Sequence, residues 1–196
     1  MEVMAVVGKI LWVLGIVTWY VIRYPFERKA KRVRVVGDSR STSERVGLVA
    51  ATLGLGVVPA IYVATGFPSL ADYPAQLWAV LVGTITYAAG LWLFRRSHKD
   101  LGKNWSITLE IRDQHRLVSN GVYQRVRHPM YSAFWLMAVG QAFLLSNWVA
   151  GLAGLLGFAM LFFLRVDKEE QMMLQNFGDE YRAYMQRTKR IIPHVY

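Results

Sequence analysis

The sequence predicts an all-α integral membrane protein with five transmembrane helices, the fourth and fifth forming a tight hairpin that is followed by a C-terminal amphipathic helix. Three observations carry this. Apolar residues make up 54% of the 196 positions and charged residues 18%, with a mean hydropathy of +0.25, a balance too apolar for an ordinary soluble domain. The apolar residues gather in segments at Ala5 to Ile22, Val46 to Thr65, Ala75 to Phe94, Tyr131 to Leu145 and Trp148 to Leu164. Of the 23 lysines and arginines, 22 lie in Arg23 to Arg45, in Arg95 to Arg127, or from Arg165 onward, and only Lys9 stands apart.

A span needs about 20 residues, or about 17 at the short end, and the first three segments meet that requirement alone. The first has no basic start, and Ile22-Arg-Tyr-Pro-Phe-Glu offers no small-residue cleavage site, so it is expected to stay as a helix rather than leave as a signal peptide. A charged stretch containing Gly37-Asp-Ser-Arg-Ser reads as a flexible turn before the second span. The last two segments are separated only by Ser146-Asn147, which makes them the arms of a hairpin that crosses twice. After Leu164, Val166, Met173, Leu174, Phe177, Tyr181 and Tyr184 recur at helical spacing while Lys168, Gln175, Arg182 and Arg187 take other faces, and Gly178 is expected to bend that helix. No internal repeat is evident, so residues 1–196 read as one domain, with the motif-bearing region at about 95–193.

Because the loops at Phe67 to Pro74 and Ser146-Asn147 carry no lysine or arginine, the connections divide into a basic side and a neutral side, which places the amino terminus outside and the carboxyl terminus inside. The net charge of +10 sits in juxtamembrane loops, where anionic lipid headgroups are the expected counter-surface and nucleic acid is not. The absence of cysteine excludes disulfides, thiolate metal sites and cysteine nucleophiles. His98 and His194 lack ligand-like company, so no metal site is expected. Gly151, Gly154 and Gly157 suit close helix packing rather than a phosphate-binding loop, and Trp78, Trp92, Trp105 and Trp148 read as interfacial anchors.

The densest polar stretch, Gly121-Val-Tyr-Gln-Arg-Val-Arg-His-Pro-Met-Tyr131, opens the fourth apolar segment. A second block, Arg165-Val-Asp-Lys-Glu-Glu170 and then Phe177-Gly-Asp-Glu-Tyr181, follows the fifth. Folding the hairpin brings both blocks to one membrane edge, where ionisable groups usually serve a ligand. Pro129 suits the first position of a helix, so His128 marks its start and the backbone amides there are expected to face a ligand. Tyr123 and Tyr131 offer flat surfaces with polar tips for an aromatic base or a cation. Arg165 and Glu169 lie four apart on one helical face. The plainer alternatives are that Arg165 and Lys168 anchor a helix end, that the tyrosines belong to an interfacial belt, and that His128 caps a helix.

These motifs carry a resemblance. Leu101-Gly-Lys-Asn-Trp-Ser106, Leu117-Val118, Gly121-Val-Tyr123, Arg127-His-Pro-Met-Tyr131, Glu169-Glu170 with Leu174, Phe177-Gly-Asp-Glu-Tyr181, Tyr184 and the ending Arg190-Ile-Ile-Pro193 resemble, in order and spacing, the isoprenylcysteine carboxyl methyltransferase family, particularly its short prokaryotic members. The resemblance covers His98 to Pro193, and Ala133 stands where many relatives have glycine. It implies a membrane enzyme that uses S-adenosylmethionine to methylate the carboxylate of an isoprenylcysteine or a similar lipophilic acid drawn from the bilayer. By motif position, the cofactor contacts would fall on Glu110, His115, Leu117, Val118, Tyr123, His128, Pro129, Tyr131 and Glu169. Arg165 would face the substrate, with Asn104 and Trp105 on the same side. A phospholipid amine methyltransferase shares the His-Pro-x-Tyr and Glu-Glu arrangement, and a nicotinamide-dependent isoprenoid or sterol reductase is the reading from another class. The first two spans carry no motif and either line a lipid path or complete the fold.

Overall fold

The computed structural model describes residues 2–30, 35–38, 42–102, 110–112 and 117–196. Helix α1 spans Glu2–Ala30, α2 spans Thr42–Thr52, and a π-helical turn at Leu53–Val57 leads directly into α3 at Val58–Thr65. Helix α4 covers Leu77–Leu101, α5 Pro129–Leu144 and α6 Trp148–Arg187. The fold is nearly all-helical. The sequence reading of a purely α protein missed two short strands, β1 at Val35–Asp38 and β2 at Glu110–Arg112, which pair antiparallel with Asp38 opposite Glu110. Strands of four and three residues are too short to print a readable alternation.

Among the described residues, the helices long and apolar enough to cross a membrane are Glu2–Lys29, Thr42–Thr65, Leu77–Leu101 and Trp148–Arg187. Their outer faces carry exposed apolar side chains, among them Val6, Ile10, Val13 and Val17 of α1. Helix α5 has 16 residues, about 24 Å at a rise of ~1.5 Å per residue, which is shorter than the ~30 Å hydrocarbon layer. It packs lengthwise on α4 and α6. Two boundaries differ from the sequence reading. Helix α1 runs past Ile22 to Ala30 with Pro25 inside it, supported by an Arg23–Glu27 pair at 3.3 Å. The expected fifth span and the helix after it are one 40-residue element, broken only at Gly178, whose φ of 49° and ψ of −121° are non-helical.

Backbone contact sets the packing. A Cβ on Gly54 would lie 2.1 Å from the Ala153 carbonyl oxygen, and one on Gly157 would lie 2.3 Å from that of Ala50. The π-turn and α6 therefore meet at a distance only glycine permits, in keeping with the packing role read for Gly157. Gln141, fully buried on α5, ties the surrounding helices together. Its Nε2 donates to the carbonyls of Gly54 (3.0 Å) and Ala150 (2.9 Å), and its Oε1 accepts from Trp12 Nε1 (3.3 Å). At bilayer depth an unsatisfied polar group is costly, so one amide serving α1, the π-turn and α6 makes a strong positional constraint.

The connections gather in two sets. The β1–β2 pairing joins the first basic connection to the second. At the other end, Asn147 caps α6 by accepting from Ala150 N (2.9 Å), while its Nδ2 donates to Pro68 O (2.8 Å) and Asp72 Oδ1 (2.7 Å). Tyr73 N donates to Ser146 O at 3.1 Å, so the two neutral connections are stitched together. We expect Gly157→Val to force α6 away from α2, lowering stability by about 1–3 kcal/mol; thermal unfolding in detergent reads this directly, and an unchanged midpoint would mean the backbones do not touch.

Candidate functional site

The hairpin closes one end of the molecule around Glu170, whose side chain is only 5% exposed. Oε1 of Glu170 accepts from Arg127 Nε at 2.9 Å and lies 3.2 Å from His128 Nε2. Oε2 accepts from Arg190 Nη2 at 2.9 Å and Nε at 3.2 Å. Arg190 also meets Asp167 Oδ1 at 2.7 Å and the Tyr196 hydroxyl at 3.1 Å. A buried carboxylate persists only when charge and hydrogen bonds repay its desolvation, and here both oxygens are engaged. Burial works against the Arg190 cation, but Tyr196, Glu170 and Asp167 outweigh it and hold its pKa above the ordinary arginine value.

Main-chain bonds reinforce the hub. Arg127 N donates to Lys189 O (2.8 Å) and His128 N to Arg190 O (2.9 Å), so the stretch before α5 pairs in parallel with the terminal tail. Ser132 Oγ donates to Ile191 O at 2.6 Å, and the Tyr184 hydroxyl donates to Tyr123 O at 2.6 Å. The amides of Arg127 and His128, just before the helix, are thus taken by the tail. Pro129 occupies the first helical position of α5, as its ring geometry requires, with His128 before it.

Glu169, adjacent to the hub on α6, points elsewhere. Its Oε2 accepts from the Tyr131 hydroxyl and lies 3.5 Å from Arg165 Nε, while Oε1 is 3.7 Å from His128 Nδ1. The Glu169 side chain keeps 27% of its surface exposed, far more than its neighbour. The rings of His128 and Tyr131 stack at 5.3 Å with a 22° interplanar angle. Tyr123 is buried; burial, with Glu169 adding to it, pushes its hydroxyl pKa up and keeps the phenol protonated. The turn that carries Tyr123 starts at Gly121, whose φ is 60°, and is held by Val122 N donating to Asp100 Oδ2 at 3.0 Å. Leu117 and Val118, half-buried, lead into it.

Next to Arg165 opens an apolar cavity of about 310 Å³. Its wall includes Trp19 of α1, Leu48 and Leu55 of the second span, Met137 of α5 and Phe158 of α6, while its charged lining residues are Arg23 and Arg165. The first two spans therefore form part of the wall. Arg165 is held between two acids: its Nη1 lies 3.3 Å from Glu44 Oε1 in addition to the Glu169 contact, which the four-residue spacing anticipated. Glu44, on the first turn of α2, is 1% exposed.

Of the residues singled out by sequence, Tyr123, His128, Pro129, Tyr131, Arg165 and Glu169 come together at this end of the fold. Asn104, Trp105 and His115 lie outside the described residues, and of Glu110 only the backbone, in β2, is described. Sequence reasoning did not anticipate the roles of Glu170, Arg127 and Arg190 as a hub, nor Glu44. The conspicuous Glu-Glu pair and the Arg190-Ile-Ile-Pro193 ending were the available signals for the hub. Glu44, one acid in a basic stretch, gave no periodic signal.

A family model described as the isoprenylcysteine carboxyl methyltransferase (ICMT) family matches residues 81–175. A probable protein-S-isoprenylcysteine O-methyltransferase of Oryza sativa subsp. indica is 33% identical over 132 residues, covering 66% of this chain and 67% of the rice protein. Protein-S-isoprenylcysteine O-methyltransferase B of Arabidopsis thaliana is 35% identical over 96 residues, covering 48% and 49% respectively. The solved structure of a eukaryotic intramembrane Ras methyltransferase, ICMT, superposes with a TM-score of 0.59 at 28% identity, covering 80% of this chain and 55% of that one. Apolar helices, shared fold and matched sequence define a multi-pass integral membrane methyltransferase. The chain belongs to the isoprenylcysteine carboxyl methyltransferase family.

Removing the hub carboxylate leaves Arg127 buried without its acidic counterpart. Glu170→Ala is expected to cost about 3–5 kcal/mol, the usual penalty for breaking a buried ion pair, and to release the tail after Arg187. Limited proteolysis of the folded variant tests this: cleavage between Thr188 and Tyr196 at the wild-type rate would contradict the hub.

Proposed function

We propose that this chain is an S-adenosylmethionine-dependent carboxyl methyltransferase acting on an isoprenylcysteine or a similar lipophilic acid that reaches the site from the bilayer. The observation that carries the reading is the apolar cavity with Arg165 in its wall, directly beside the partly open Glu169 and the stacked His128–Tyr131 pair. The cavity takes the lipid portion of the acceptor, and the guanidinium takes its carboxylate, with bidentate geometry available to an arginine. Asn104 and Trp105 are assigned to the same side by the family motif.

The residues present fit the methyl donor. When bound, S-adenosylmethionine supplies an electrophilic methyl on a sulfonium. Glu169, whose carboxylate stays 27% exposed, offers an acceptor for hydroxyl or ammonium groups of the donor. His128 and Tyr131 provide a flat, stacked wall. Glu110, His115, Leu117, Val118, Tyr123 and Pro129 complete the set by motif position. The acceptor carboxylate, with a pKa of about 3.3–3.7, is already ionised at neutral pH and needs no general base. Positioning and water exclusion do the work instead: alignment in a dry site lowers the barrier by up to about 7–11 kcal/mol in the best cases.

The basic connections favour five spans with the amino terminus outside, α5 serving as the short fourth span, and the site facing the cytoplasm. The part of α6 after Leu164 is read as an amphipathic cap, with Val166, Tyr181 and Tyr184 buried and Lys168, Gln175 and Arg182 exposed. A second reading, methylation of a phospholipid amine, is favoured by one observation: Glu169, its side chain 27% exposed next to Arg165 of the cavity wall, also suits an amine.

Calorimetric titration of the detergent-purified protein with S-adenosylhomocysteine and, in parallel, with the reduced phosphorylated nicotinamide cofactor tests the class. Binding of the former alone is expected; binding of the latter alone would move the chain to the reductases. The roles also separate by substitution. Glu169→Ala is expected to weaken S-adenosylhomocysteine binding about tenfold to a hundredfold, the worth of a charged hydrogen bond. Arg165→Gln is expected to leave that binding intact and lower transfer to a carboxylate acceptor. Equal loss of both functions in folded Arg165→Gln would contradict this division.

A further inference from the structure

Glu44 belongs neither to the hub nor to the motif-assigned cofactor set, yet it is among the most buried charged groups in the molecule, at 1% exposure. It sits on α2, and its Oε1 lies 3.3 Å from Arg165 Nη1 on α6. From the other side, Glu169 Oε2 lies 3.5 Å from Arg165 Nε. Nε and Nη1 are different nitrogens of one planar fork, so two carboxylates from two helices restrain both the position of the guanidinium and its rotation about the chain axis. Beside Glu44, Ser43 Oγ is hydrogen bonded to Lys168 Nζ, which ties the start of α2 to the same stretch of α6. Arg165 also lines the cavity, together with Leu48 and Ala51 from the next turns of α2.

We propose that Glu44 is a positioning residue for acceptor recognition: it holds the Arg165 guanidinium in the orientation that meets the carboxylate of the lipophilic acceptor. A long arginine side chain carries substantial rotamer freedom, and fixing it before the acceptor arrives removes an ordering cost from binding. Placing the restraint on α2, part of the lipid-cavity wall, couples the seating of the lipid chain to the aim of the cation. This inference rests on the reading that Arg165 takes the acceptor carboxylate.

The test measures KM and kcat for N-acetyl-S-farnesylcysteine, together with S-adenosylhomocysteine affinity, in Glu44→Met and Glu44→Gln. Methionine fills the volume without a strong acceptor, whereas glutamine keeps an oxygen able to accept from Nη1. The expected result is a rise in acceptor KM of about tenfold for Met, on the scale of one hydrogen bond to a charged group. Gln is expected to restore most of the loss, with S-adenosylhomocysteine affinity unchanged in both. An unchanged KM in Met, or donor-analogue affinity falling in step with KM, would overturn the proposal. Failure of Gln to rescue would overturn it too. If Met does not accumulate as folded protein, Glu44→Asp, one methylene shorter, is expected to raise KM, and a wild-type KM in Asp would count against it. Arg165→Gln separates the premises: wild-type acceptor KM there removes the parent reading, whereas a raised KM there with a normal one in Glu44→Met removes only the role of Glu44.

Discussion

The site depends on the ionic cluster at Glu170. Its carboxylate meets Arg127 and His128 from the lead-in to α5 and Arg190 from the terminal tail. Without that acid, Arg127 and His128 would lose the buried carboxylate they share, and Arg190 would keep only its contacts with Asp167 and Tyr196. With it, the start of α5 is locked against α6. Neighbouring residues on an α-helix point about 100° apart, so fixing Glu170 on the hub turns Glu169 toward Tyr131 and Arg165. One acid of the pair organises the protein and leaves the other partly open to a ligand.

The cavity depends on a different kind of constraint. Glycine contacts between the π-turn and α6 draw the second span against the last one, and the Gln141 amide fixes their register by satisfying Gly54 and Ala150 carbonyls at once. Beside these contacts, the larger side chains Trp19, Leu55, Met137 and Phe158 surround the opening without filling it. Helix packing and ion pairing therefore meet at Arg165, which belongs to the cavity wall and to the acidic cluster together. That coincidence of an apolar volume and a held cation gives the proposed chemistry its physical basis.

How much of this was legible in the sequence follows from the range of each interaction. The apolar runs announced the helices, and the four-residue interval from Arg165 to Glu169 announced their 3.5 Å contact, because both are local and periodic. Proline after His128 announced the start of α5. The Arg127–Glu170 pair is 43 residues apart, and the closure of Glu44 on Arg165 crosses between helices far apart in the chain; no period encodes either. Gln141 is one polar residue in an apolar run, and its value appears only when the three groups it bonds are in place. The extension of α1 beyond Ile22 was obscured by Pro25, whose presence in a helix the composition alone argues against.

The central claim is that the held cation and the lipid cavity serve a carboxylate acceptor. The most direct measurement reconstitutes the protein in phospholipid vesicles with isotopically methyl-labelled S-adenosylmethionine and N-acetyl-S-farnesylcysteine, then treats the labelled product with base. A methyl ester releases its label as volatile methanol, and that release, dependent on the farnesylated acid, is the predicted result. Base-stable label carried by the vesicle phospholipid, with none released from the acid, would contradict the account and assign the site to an amine.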